Sequence, residues 1–160
     1  MDNSNIVGVL KQSQIFDGLG EGDLKKIAVG CIEQAFPMGT TIIEENDPPK
    51  KTLYFVKSGE MTITSSQVME DGESTDESII TTLGAGDAFG EIALVDQEPH
   101  SATVRTISDS TIFLVSANFL DSLCEQDPRI GFIVYRNIAK LICKRLRLSN
   151  FSTKNFWIQD

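Results

Sequence analysis

The sequence predicts an α+β domain: a small antiparallel β-sandwich or barrel with short helices before it, one short helix inside it and a long helix after it. Short β-rich runs begin at Cys31 and are separated by Gly, Pro, Asn and Asp, whereas the flanking segments carry apolar residues at helical spacing. The chain has 160 residues, 41% of them hydrophobic, which suits one core. We expect a single domain over residues 1–160, with the barrel at about 31–116, helices at about 117–147 and a tail at 148–160.

The elements follow from local patterns. Apolar positions at helical spacing in residues 6–16 and 24–29 predict two short helices, which are separated by glycines at 18, 20 and 22. Turn residues then divide seven predicted strands, as in a small antiparallel sandwich. The predicted strands are residues 32–36, 40–43, 53–56, 61–64, 79–83, 102–107 and 111–115.

Two helices are predicted after the last strand. Ser116 or Asn118 can cap the first, which reaches about residue 125. Asp127 caps the second, Pro128 is its first residue, and it continues to about residue 147. This helix has one apolar face, which can pack on the barrel, on a second copy of the chain, or on both. The face consists of Ile130, Val134, Ile138 and Leu141.

The charge distribution limits the classes of partner. A net charge of −9 repels polyanions, and acidic residues crowd residues 70–77 within a long polar segment, 65–78, that should be a solvated loop. Basic residues of the C-terminal helix suit its dipole and a solvated face. We expect no DNA binding by this chain alone, because about a dozen residues follow that helix and a helix-turn-helix needs more. These basic residues are Arg129, Arg136, Lys140, Lys144, Arg145 and Arg147.

Other sequence signals exclude several classes. The three cysteines lack CxxC spacing, which argues against a disulfide framework or a zinc site. No apolar run of about 18 residues and no signal-peptide pattern is present, so we expect a cytoplasmic protein that does not bind membranes. We predict no catalytic residues and no metal, because one histidine cannot supply the usual metal set of a similar barrel enzyme and no nucleophile elbow or Walker motif occurs.

The most informative stretch is Phe89-Gly90-Glu91-Ile92-Ala93-Leu94, followed by Pro99-His100-Ser101-Ala102-Thr103-Val104. Backbone N–H groups at the start of a short helix attract an anion, and Gly90 allows close approach of the backbone. An acidic residue such as Glu91 beside a bound phosphate makes sense only if it accepts a sugar hydroxyl. The stretch therefore predicts an anion site at the start of a short helix, beside a carboxylate that can accept a hydroxyl.

These two segments resemble the phosphate-binding cassette of cyclic-nucleotide-binding domains, such as those of catabolite-activator-type regulators and protein kinase A regulatory subunits. The resemblance extends from about residue 15 to 147. Leu53-Tyr54-Phe55-Val56 with Ser58-Gly59-Glu60 is similar to the family's third strand and turn, and Asn46 replaces a glycine at a left-handed turn. The resemblance implies a jelly-roll barrel and a stand-alone regulatory sensor for cyclic AMP, cyclic GMP or a related small phosphate-containing ligand, without a further cofactor.

The resemblance also implies the residues of the site and a second copy of the chain as a partner. Homodimerisation would occur through the C-terminal helix, and Ser149 with Asn150 would form a lid over the base. The ligand-binding residues implied are Phe89, Gly90, Glu91, Ile92, Ala93, His100, Ser101, Ala102 and Thr103.

His100 stands where the family has an arginine that grips the phosphate. Losing that charge-assisted hydrogen bond costs on the order of 1.5–3 kcal/mol, so we expect weak binding that strengthens at least several-fold on His100→Arg. If Asp96 and Glu98 favour the imidazolium, affinity rises toward pH 6. The alternative is a degenerate module that binds no ligand and serves as a dimerisation or partner scaffold.

Overall fold

The computed structural model describes residues 3–66 and 78–156, and it describes side chains for residues 5–66 and 78–148. The helices are α1 (Asn3–Gln12), a 3₁₀ turn (Gln14–Phe16), α2 (Glu21–Ala28), α3 (Glu91–Asp96), α4 (Ala117–Gln126) and α5 (Pro128–Phe156). The strands are β1 (Cys31–Phe36), β2 (Thr41–Ile43), β3 (Thr52–Ser58), β4 (Met61–Ser65), β5 (Ser78–Leu83), β6 (Ala88–Phe89), β7 (Thr103–Thr106) and β8 (Ser110–Ser116).

The strands form two four-stranded antiparallel sheets, ordered β1-β8-β3-β6 and β2-β7-β4-β5. This confirms the predicted α+β jelly-roll sandwich and all seven predicted strands. The two-residue strand β6 was not predicted, because it is too short to show an alternating pattern. It pairs with β3 through Tyr54↔Phe89 and Phe55↔Ala88 and leads directly into α3.

Strand β3 is buried on both faces, which explains its continuous apolar run. Leu53 and Phe55 face a core that the helices share with the first sheet, whereas Tyr54 and Val56 face a second core between the sheets. All four side chains are at most 4% exposed. Because β3 lies inside both cores, it is a rigid support for β6 and for the residues that follow β6.

The helices at the two ends of the chain pack together against the first sheet. Ser116, one of the two predicted caps of α4, accepts a hydrogen bond from the backbone N–H of Phe119. Helix α5 begins at Pro128, as predicted. Ile130, Val134 and Ile138 of α5 are buried, whereas Leu141 is half-buried. The predicted apolar face of α5 therefore packs on the domain itself.

Helix α5 is longer than predicted and unusually charged. It continues to Phe156 instead of ending near residue 147, because no proline or glycine follows residue 147 to stop it, so the expected tail 148–160 is helical through residue 156. The tail's Trp157 and most of the acidic segment, residues 67–77, lie outside the described residues. Helix α5 contains seven Lys or Arg residues and no Asp or Glu, so the rest of the chain carries −16, the total of −9 less this +7. Over the described residues, no helix has the length and apolar character needed to cross a membrane.

Candidate functional site

The cassette begins with a tight connection from β6 to α3. Phe89 is 1% exposed and stacks on Tyr54, with ring centroids 4.7 Å apart. Gly90 then adopts a φ of +81°, and a Cβ placed there would lie 2.7 Å from the carbonyl oxygen of Thr52. Only glycine adopts this conformation without strain and also fits this space. Gly90 is the N-cap residue of α3, whose first backbone N–H groups have no partner within the helix.

Glu91, the first residue of α3, is almost fully buried at 1% exposure. Its carboxylate accepts a hydrogen bond from the guanidinium of Arg145, which reaches across from α5. The same guanidinium donates to the carbonyl oxygen of Ala88 at 2.8 Å. A buried carboxylate needs such a partner, since an unpaired charge would cost several kcal/mol. Arg145 therefore ties α5 directly to both sides of the β6–α3 connection.

His100 is 5% exposed and forms three hydrogen bonds with the loop between β2 and β3. Its backbone N–H donates to the carbonyl of Asp47 at 3.0 Å, and its carbonyl accepts from the N–H of Asn46 at 2.8 Å. Its Nε2 accepts a hydrogen bond from the backbone N–H of Lys50 at 3.0 Å. An imidazole that accepts at Nε2 must be neutral and carries its proton on Nδ1. The side chain that replaces the family's arginine is thus part of the loop's own hydrogen bonding.

The surroundings of His100 also favour its neutral form. Burial lowers the pKa of the imidazole below its usual value, and the positive charge of Lys50 lowers it further. The carboxylates of Asp47 and Asp96 raise the pKa, but their effect is smaller. The acidic neighbours therefore do not produce the imidazolium that they were expected to favour. The sequence indicated that protonation of His100 would raise the affinity toward pH 6. Because the pKa of the imidazole is lowered, that rise should occur at lower pH.

The other cassette residues divide into buried and exposed positions. Ala93 and Thr103 are buried, and the Thr103 hydroxyl accepts a hydrogen bond from the N–H of Glu45 at 3.0 Å. Ile92 is 38% exposed, Ser101 is exposed and Ala102 is half-buried. Of the two hydroxyls predicted near the phosphate, that of Ser101 lies at the surface and that of Thr103 already has a protein donor.

Two residues of the site were not singled out from the sequence. Arg145 was counted with the solvated basic face of the helix, yet its side chain is only 29% exposed and pairs with Glu91. Lys50 contacts His100 through its backbone and donates from Nζ to the carbonyl of Ile42 at 2.8 Å. One sequence cue could have marked Arg145. It follows Leu141 by four residues and therefore continues, at helical spacing, the face of α5 that packs on the domain. The predicted lid residues, Ser149 and Asn150, lie within α5, and their side chains fall outside the described residues.

Comparisons with known proteins agree on one family. A family model described as a cyclic nucleotide-binding domain matches residues 33–127. The cAMP-dependent protein kinase regulatory subunit of Yarrowia lipolytica is 33% identical over 129 residues, which are 76% of this chain and 32% of that protein. Glutaminase 1 of Bradyrhizobium diazoefficiens is 30% identical over 141 residues, 88% of this chain and 21% of that protein. The chain thus spans about a third or less of these two curated relatives.

The fold also matches a solved structure. The crystal structure of a cyclic nucleotide-binding domain from Methylobacillus flagellatus superposes with a TM-score of 0.77 at 20% identity. The match covers 91% of this chain and 78% of the other. At that identity the likeness concerns the fold alone.

Proposed function

Because the chain belongs to the cyclic nucleotide-binding domain family, we propose that it is a regulatory sensor that captures cyclic AMP or cyclic GMP at its cassette. The observation that carries the proposal is the buried carboxylate of Glu91 at the first turn of α3. A carboxylate accepts several hydrogen bonds, so Arg145 and a ribose 2′-hydroxyl can share it. The name of the Yarrowia relative, a cAMP-dependent regulatory subunit, supports cyclic AMP as the first ligand to test.

In this proposal the phosphate binds at the N-terminus of α3, where backbone N–H groups and the helix dipole attract an anion. The sugar contacts Glu91, and residues 99–104, which lead into β7, close the site on the opposite side. The base is covered by Ser149 and Asn150 of α5. The proposed contact residues remain Phe89, Gly90, Glu91, Ile92, Ala93, His100, Ser101, Ala102 and Thr103.

We propose that the affinity is weak. The neutral imidazole of His100 offers one N–H donor where a guanidinium would offer two parallel charged ones. Loss of a charge-assisted bond costs about 1.5–3 kcal/mol, which is roughly a 10- to 150-fold loss in affinity. The hydrogen bond between Nε2 and Lys50 supports this estimate, since it leaves only Nδ1–H for an anion.

The output of the sensor would be a change in the position of α5. Arg145 contacts both Glu91 and the carbonyl of Ala88, so a ligand that alters the cassette alters the anchoring of α5. The ligand shifts α5 only as far as its contacts differ between the two positions of the helix. We propose no catalytic role for residues 1–160, which form one domain located in the cytoplasm.

The proposed partner is a second copy of the chain, bound through α5. The outward face of this helix carries Phe132, which is 66% exposed, and Leu146, which is 59% exposed, with Ala139 and Cys143 between them. A surface hollow of about 680 Å³ beside Ala139 and Cys143 is lined mostly by cationic side chains, namely Arg136, Lys140, Lys144 and Arg147. Phe132→Glu should convert a dimer to a monomer in sedimentation equilibrium. Met38→Glu is the matched control, because Met38 is equally exposed at 68% but lies outside α5.

Calorimetry with cyclic AMP, cyclic GMP and 2′-deoxy cyclic AMP tests the ligand site. Glu91→Gln should weaken cyclic AMP about 10-fold or more and leave 2′-deoxy cyclic AMP nearly unchanged, since the deoxy ligand lacks the hydroxyl that Glu91 accepts. Glu60→Gln removes an exposed carboxylate elsewhere and should change neither affinity. Equal weakening of both ligands by Glu91→Gln would refute the ribose contact.

The alternative is a scaffold without a ligand. The internal hydrogen bonds of His100 and Arg145 favour it, because both groups already have protein partners. Absence of binding at millimolar cyclic AMP or cyclic GMP, together with a dimer that Phe132→Glu disrupts, would establish the scaffold and exclude the sensor.

A further inference from the structure

Asn137 is a buried polar residue in the middle of α5 whose contacts the proposed function does not use. Its side chain is 4% exposed. Nδ2 donates to the carbonyl oxygen of Ile15 at 3.1 Å and to that of Asp17 at 2.9 Å. These carbonyls belong to the 3₁₀ turn and the residue that ends it. One amide group therefore joins α5 to the N-terminal segment with two directional bonds.

Most of the other contacts of α5 are apolar, and they restrict the rotation of the helix about its axis less than directional hydrogen bonds do. Ile130, Val134 and Ile138 pack into the core, but hydrophobic contact is not directional. The ion pair between Arg129 and Asp23 at 2.7 Å is directional, yet the Arg129 side chain is 55% exposed, and exposed pairs contribute little. Among the described polar side chains of α5, that of Asn137 is the fully buried one, whereas those of Arg145 and of Tyr135, which donates to Asp121, are half-buried.

The rotation of α5 matters for the cassette because Arg145 is eight residues further along the helix. Eight residues correspond to about 12 Å of helix, so a displacement near Asn137 is transmitted by a rigid rod. With side-chain tips about 5–6 Å from the axis, a rotation of about 20° moves the Arg145 guanidinium by about 2 Å. Such a shift removes its hydrogen bonds to Glu91 and to the carbonyl of Ala88.

We propose that Asn137 is a positioning residue for the ligand site: by binding the 3₁₀ turn it sets the rotation of α5 at which Arg145 meets Glu91. This makes the N-terminal segment a part of the sensor, because α1 and α2 adjoin the turn that Asn137 holds. The proposal rests on the proposed function only in treating Glu91 as the ligand's contact. Its structural part, the placement of Arg145, is testable without any ligand.

Amide hydrogen exchange of the ligand-free chain is the direct test. Asn137→Ala should raise exchange in residues 141–148 at least 10-fold and leave β3 and β8 unchanged. Ile138→Val is the matched control, because it removes one buried methyl group from the adjacent residue but no hydrogen-bond donor, and it should leave residues 141–148 protected. If Asn137→Ala does not fold, Asn137→Ser, which keeps one donor, replaces it in the same comparison.

A second arm separates positioning from general stability. Arg145→Gln should raise exchange in residues 141–148 in the natural sequence but add less than twofold in the Asn137→Ala background, because the bond is already lost there. Unchanged protection of these residues in Asn137→Ala, uniform loosening of all elements, or a full Arg145→Gln effect in both backgrounds would each overturn the proposal. Failure of calorimetry to detect binding of either cyclic AMP or cyclic GMP would instead refute the proposed function and leave the exchange result intact.

Discussion

Replacing His100 by arginine should make the ligand-free domain less stable and its complex with a cyclic nucleotide tighter. The loss of stability follows from the backbone N–H of Lys50, which donates to Nε2 of the imidazole at 3.0 Å. Arginine has no acceptor, so His100→Arg leaves this donor without its partner. His100→Gln is the matched control, because its side-chain oxygen can take the place of Nε2.

The magnitude follows from the burial of this hydrogen bond. An unsatisfied buried donor costs about 1–3 kcal/mol, and because the bond is only partly buried we expect about 1–2 kcal/mol. At about 3 °C per kcal/mol for a chain of this size, the Tm of His100→Arg should fall by roughly 3–6 °C. His100→Gln should stay within about 0.5 kcal/mol of the natural sequence, since it retains the acceptor.

The assay combines thermal unfolding without ligand and calorimetry with cyclic AMP near neutral pH. The guanidinium should strengthen binding at least several-fold, with a ceiling of roughly 150-fold from one charge-assisted bond. An unchanged Tm for His100→Arg would mean that the hydrogen bond to Lys50 does not stabilise the loop. Equal or weaker binding by His100→Arg would mean that position 100 does not face the phosphate.

Two further predictions concern the same region. Gly90→Ala should destabilise the domain by more than about 2 kcal/mol in urea unfolding. A left-handed alanine costs about 1–2 kcal/mol, and its Cβ would also clash with the carbonyl oxygen of Thr52. Gly8→Ala is the control, because Gly8 lies in α1 with open space around it, and this change should not destabilise the domain. Because the pKa of His100 is lowered in the folded state, the unfolded chain binds the extra proton first, so stability should fall as the pH drops below about 6.5. His100→Gln should remove that part of the pH dependence, and an identical slope in both proteins would exclude His100 as its source.

The parts of the fold that depend on local chemistry could be predicted from the sequence. The apolar run of β3, flanked by turn residues, predicted a strand, and Asn46 was expected to adopt a left-handed conformation, which its φ of +68° confirms. Ser116 and Pro128 marked the starts of α4 and α5 because caps act within one turn. Strand β6 escaped prediction since its two residues form a strand only by pairing with β3.

The chemistry of the site was harder to predict because its partners are distant in sequence. Arg145 lies 54 residues after Glu91, and its position on the inward side of α5 does not by itself indicate which residue it pairs with. The imidazole of His100 was expected to face an anion, but its acceptor role toward Lys50 depends on how a loop 50 residues earlier folds over it. Sequence patterns marked Glu91 and His100 as candidate site residues but could not show that Arg145 and Lys50 are the groups that bind them.

The concentration of positive charge on one helix makes the position of α5 sensitive to salt. Helix α5 carries seven cationic residues and the rest of the chain a net charge of −16, so the overall electrostatic attraction adds to the contacts of Asn137 and Arg145. This attraction reaches about 30 Å at 0.01 M salt but only about 8 Å at physiological ionic strength. Dilute buffers should therefore hold the helix more firmly against the barrel than physiological salt does, and the proposed response of α5 to a cyclic nucleotide should increase as electrolyte is added.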